Sequence, residues 1–93
     1  MAKRACASHI LVKTRDEAER LLKQLQQGAE FDRLARKYST CPSSRNGGSL
    51  GEFSRGDMVK PFDEAVFKGP LLEVQGPVRT QFGWHLIKTL YRQ

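Results

Sequence analysis

Ninety-three residues, 39% of them hydrophobic, suit one folded domain over residues 1–93 and leave no room for two. Uninterrupted apolar runs such as Ile10-Leu11-Val12 and Ala65-Val66-Phe67 reach only three residues, whereas a membrane span needs about twenty and a signal peptide about seven. Neither is expected, so the expected address is the cytoplasm, with Cys6 and Cys41 as free thiols in a monomer. The net charge of +6 draws polyanions but, by itself, signals little beyond solubility.

In chain order, Cys6 to Val12 reads as a strand buried on both faces, because only His9 in it is strongly polar. Thr14 and Glu17 stand at capping-box spacing, and Ala18, Leu21, Leu22 and Leu25 follow on one helical face until Gly28 stops the helix. A shorter helix repeats the spacing with Phe31, Leu34, Ala35 and Tyr38. Ser39 to Gly56 is rich in turn residues, with a short strand at Leu50-Gly51-Glu52-Phe53. Pro61 suits the first turn of a third helix whose apolar face is Phe62, Ala65 and Val66. Gly69-Pro70 and Gly76-Pro77 read as turns. Val78-Arg79-Thr80 and Trp84 to Arg92 then form a closing hairpin, with Trp84, Leu86 and Leu90 on one face and His85, Ile87, Thr89 and Tyr91 on the other. The order β, α, α, loop, β, α, β, β lacks strict alternation, so the expected class is α+β with a mainly antiparallel sheet packed against helices.

The chain has two histidines, and both sit inside apolar strand patterns. A neutral imidazole carries one donor and one acceptor, so two of them on adjacent strands can satisfy each other in a core. Two other readings compete. Cys6, His9, Cys41 and His85 are the residue types of a zinc site, but Cys6-x-x-His9 is not a ligand spacing and a strand turns those two side chains to opposite faces. Lys3-Arg4, Arg33, Arg36-Lys37 and Arg45 are the residue types of a nucleic-acid surface, but no aromatics are interleaved with them for stacking, so specific nucleic-acid binding is not expected.

Four separated motifs settle the preference: Ser8-His9-Ile10-Leu11-Val12-Lys13; Gly47-Gly48-Ser49-Leu50-Gly51-Glu52-Phe53; Met58-Val59-Lys60-Pro61-Phe62; and Gly76-Pro77-Val78-Arg79-Thr80-Gln81-Phe82-Gly83-Trp84-His85. Together, from about Ala5 to Tyr91, they resemble the parvulin family of peptidyl-prolyl cis-trans isomerases, and the length suits a small stand-alone bacterial member. The resemblance implies a four-stranded antiparallel sheet surrounded by about four helices, one of them a turn near Ser43–Arg45. It also implies a rotamase that assists protein folding on proline-containing polypeptides, without cofactor or metal. Carried over by position, His9 and His85 are the paired histidines and Thr80 the hydroxyl joined to them. Cys41 lies above the substrate amide, and Leu50, Met58, Phe62 and Phe82 form the proline pocket. Ser49 departs from the family's frequent Asp. Only Lys13-Thr14-Arg15 spans the gap where the phosphorylation-directed branch has a long basic loop, so no phospho-residue requirement is expected. An uncharged or hydrophobic residue is expected before proline. A binding-only chaperone domain using the same pocket is the remaining alternative, and the full set of positions favours activity over it.

Overall fold

The computed structural model describes residues 2–93. Strand β1 (Arg4–Val12) leads into α1 (Arg15–Gln26) and α2 (Phe31–Tyr38), then a 3-10 turn η1 (Pro42–Asn46). Strand β2 (Ser49–Ser54), helix α3 (Lys60–Lys68) and strands β3 (Val74–Thr80) and β4 (Gly83–Arg92) complete the chain. The four strands form one antiparallel sheet in the order β2-β1-β4-β3. The α+β expectation and its four-stranded sheet stand, and among the described residues the helix count of about four resolves into three α-helices plus η1, which covers Ser43–Arg45.

The helices obey local chemistry. The Glu17 N–H donates to Thr14 Oγ1 at 3.2 Å and opens α1, and Gly28, at φ 105°, follows its end. Helices α1 and α2 lay Ala18, Leu21, Leu34 and Ala35 on one face of the sheet against Ile10, Val12 and Leu86. Helix α3 lays Phe62, Val66 and Phe67 on the other face against Ala5, Ala7, Phe53 and Ile87. The alternation expected for β4 therefore separates two half-cores, with Leu86 in one and Ile87 in the other. Leu90, expected on the face of Trp84 and Leu86, is 37% exposed where the β1–β4 register slips, Cys6 pairing with Tyr91 and Ala7 with Thr89.

Two boundaries differ from the sequence expectation. Strand β1 begins at Arg4 rather than Cys6, because Arg4 and Ala5 pair with Ser54 and Phe53 of β2. Gly76-Pro77 is no turn but lies inside β3, where the β3–β4 register slips between Gln75 and Val78. A proline cannot donate to the ladder, and a glycine at φ 135° can step around it, so the strand continues through a bulge. Among the described residues no helix is long and apolar enough to cross a membrane.

Candidate functional site

Pairing register builds the site's floor. In the β1–β4 ladder His9 faces Ile87 and Leu11 faces His85, so the two histidines are diagonal neighbours on one face of the central strand pair. That separation is within reach of ring side chains. The rings stack with centroids 5.2 Å apart and planes 19° from parallel, and Nδ1 of His9 lies 3.0 Å from Nδ1 of His85. Thr80 is the corresponding diagonal neighbour on β3, since Val78 is the residue opposite His85. Its Oγ1 lies 2.6 Å from His85 Nε2 and accepts the Phe82 N–H at 3.1 Å. Phe62 of α3 meets both imidazoles edge to face, at 5.4 Å and 5.3 Å.

Two glycines permit this packing. Gly48, at φ 88°, would drive a Cβ into the His9 carbonyl oxygen, and Gly76 would drive one into the carbonyl oxygen of His85. Each histidine's backbone is thus gripped by a neighbour that only glycine fits.

The proton order follows from counting partners. If His85 Nδ1–H donates to His9 Nδ1, then Thr80 O–H donates to His85 Nε2, and only the Nε2–H of His9 lacks a partner among the described residues. The reverse order leaves both His9 Nε2 and the Thr80 hydroxyl proton unpaired. The first order is favoured: Phe82 N–H to Thr80, Thr80 to His85, His85 to His9. It needs both rings neutral. His9 is held down at about 4 by burial and by the adjacent His85, and His85 at about 4 by burial.

Above the imidazoles lies a cavity of about 370 Å³ lined by His9, Leu11, Thr40, Cys41, Pro42, Leu50, Met58, Val59, Phe62, Phe82 and His85. It brings together every site residue named from the sequence except Thr80, which stands behind His85. Cys41 reaches the wall because its loop is tied to β1: Thr40 N–H donates to the Leu11 carbonyl at 2.8 Å, and Leu11 N–H to Ser39 Oγ at 3.0 Å. Its thiol is free and half-buried. Phe82 stands at the rim, 61% exposed, so one wall of the cavity is open to solvent.

Four lining residues escaped the sequence reading. Leu11 was legible, because it is two residues from His9 and a strand returns to the same face at that spacing. Thr40 and Pro42 flank Cys41 and Val59 follows Met58, so each neighbours a named residue. Chemically, the cavity offers an apolar cup over two neutral imidazoles, with a thiol at its wall.

A family model described as the PPIC-type PPIase domain matches residues 1–93. The Foldase protein PrsA of Geobacillus kaustophilus is 48% identical over 83 residues, 88% of this chain and 30% of that protein. The chain thus spans about a third of the length of such curated relatives. The peptidylprolyl isomerase PrsA of Bacillus anthracis superposes at a TM-score of 0.95 with 35% identity, over 99% of this chain and 43% of that one. The parvuline of Nitrosopumilus maritimus superposes at 0.86 with 38% identity, over 98% of this chain and 99% of that one.

Proposed function

The chain belongs to the PPIC-type peptidyl-prolyl cis-trans isomerase domain family, and from that premise we propose that it speeds rotation about X-Pro bonds without covalent chemistry, in the service of protein folding. The barrier to peptide rotation, about 18–20 kcal/mol, comes from C–N double-bond character. X-Pro isomers are close in energy yet exchange over tens to hundreds of seconds. No bond breaks, so catalysis requires only that the twisted amide be held more tightly than the planar forms. Twisting lowers the charge separation between nitrogen and oxygen, and surroundings poor in water favour it.

The observation that carries this reading is the apolar cup over the neutral histidine pair. Leu50, Met58, Phe62 and Phe82 grip the ring. Cys41 stands where it can touch the carbonyl, and Thr80 holds His85 and thereby His9. A million-fold acceleration is worth about 8 kcal/mol, against roughly 1 kcal/mol net for one hydrogen bond. Catalysis is therefore shared among desolvation, fixing of the ring and polar positioning. Both histidines are neutral and neither needs to move a proton.

The same reading holds that an uncharged or hydrophobic residue precedes the proline, that phosphorylation is not required, and that the protein works as a monomer. The cytoplasmic address is part of the same reading. The test is an isomerisation assay over a panel of X-Pro peptides, including Ala and phosphoserine before proline. Turnover of the Ala peptide at or above the phosphoserine peptide supports the reading. A folded protein that leaves the uncatalysed rate of every peptide untouched removes it.

A further inference from the structure

The cavity wall formed by Cys41 and Pro42 continues directly into a face of unpaired positive charge. Arg33, Arg36 and Lys37 recur on α2 at i, i+3 and i+4, so they share one flank of that helix, and all three are exposed. Arg45, also exposed, projects from η1, the element whose first residue is Pro42. Arg36 Nη1 donates to the Arg45 carbonyl at 3.0 Å, which clamps η1 to α2 and sets the positions side by side. The two salt bridges among the described residues, Arg4–Glu52 and Arg15–Glu19, involve none of these four cations. Of the acids in this segment, Glu30 is the N-cap of α2, and Asp32, four residues before Arg36, flanks Gly47 beside it but forms no salt bridge with any of the four.

Arg36 and Lys37 suit the last turn of α2, but Arg33 and Lys37 are like charges four residues apart, and an anion facing the group would relieve their repulsion. We infer that the α2–η1 face is a second contact site for the polypeptide substrate and takes acidic side chains near the proline held in the cavity; this rests on the isomerase reading above. Three 3-10 steps of about 2 Å take Pro42 to Arg45, about 6 Å in all, which an extended chain covers in about two residues at roughly 3.3–3.6 Å each. With the proline seated in the cavity rather than at Pro42, the acids fall two or more residues from it.

A polypeptide suits the face better than a nucleic acid. Tyr38 is the aromatic beside the cluster; it packs into the core, and Lys37 already covers it at 5.2 Å from the ring centroid. Elsewhere Trp84 is covered by Arg15 and Arg79, and Phe67 by Arg55. Structure thus brings cations onto aromatics that are apart in sequence, but in each pair the cation occupies the ring that a base would need.

The test compares a neutral X-Pro peptide with two versions carrying three glutamates, placed two to four residues before or after the proline. Exchange and affinity are read by NMR. At low salt one acidic peptide should show KM and Kd lower by about threefold to tenfold with kcat unchanged, as for uniform binding through two or three exposed ion pairs. In 1 M salt, where screening acts within about 3 Å, the advantage should vanish. The Arg33→Glu, Lys37→Glu, Arg45→Glu variant should reverse it, read as the acidic-to-neutral ratio within that protein. Equal affinity for all three peptides overturns the inference. So does an acidic advantage that survives the variant or the salt, or a single-stranded DNA oligonucleotide that protects this face while acidic peptides do not. Absence of turnover on the neutral peptide strikes the isomerase reading instead, and the Kd ratio still decides this one.

Discussion

Acidification from pH 7.5 to 5.5 should weaken this fold through the His9–His85 pair. Burial, aided for His9 by its neighbour, holds both rings at about 4, whereas a free imidazole titrates near 6.5. Between those values the unfolded chain binds protons that the folded chain refuses. Stability is therefore complete above about pH 6.5 and declines as pH falls toward 4. For one ring the loss between pH 7.5 and 5.5 is about 1.3 kcal/mol by proton linkage. The rings share a contact and titrate as a pair, so the total lies between about 1.3 and 2.7 kcal/mol. A domain of this size is stable by only about 5–14 kcal/mol. The window also stays above the reference range of carboxylic acids, near 4. Urea unfolding followed by Trp84 fluorescence should show a midpoint lower by on the order of 1 M at pH 5.5. Equal midpoints and slopes at the two pH values, or either imidazole titrating near 6.5 in NMR spectra of the folded protein, would refute the reasoning.

Thr80→Val keeps the side chain's shape but leaves His85 Nε2 and the Phe82 N–H without their partner. It should cost about 2–4 kcal/mol in chemical denaturation, whereas Thr80→Ser keeps most of that stability; equal losses would contradict the relay. Cys41→Asp should retain isomerase activity, since rotation needs no nucleophile. Abolished turnover in a folded Cys41→Asp protein would return covalent catalysis to consideration. Leu72 is 64% exposed and held at φ 63°. Leu72→Gly should raise stability by on the order of 0.5 kcal/mol and Leu72→Val lower it by about 1 kcal/mol, an order that denaturation midpoints test.

Local periodicity carried much of the architecture. Two helical stripes, a proline-led third helix and an alternating last strand give the elements and the α+β class, because side-chain burial repeats with backbone geometry. Individual site residues were legible through motif likeness: nothing in the spacing of His9 and His85 says that they touch. Where the strand pattern failed, at Gly76-Pro77, turn-forming residues had been used to carry a strand around a bulge against the His85 carbonyl. Cation–aromatic contacts lay beyond the sequence as well, since Arg15, Arg79 and Trp84 meet only after β3, β4 and α1 assemble.

Sequence alone therefore determined which segments are strand or helix, which side chains are apolar enough for a cup, and that the chain carries excess positive charge. Tertiary structure decided the rest. Ladder register set two imidazoles diagonally at 3.0 Å, burial kept them neutral, and the clamp between Arg36 and Arg45 joined a basic helix flank to the cavity wall. Pairwise distances, local dielectric and the choice of proton donor depend on residues far apart in the chain, and only their packing fixes them.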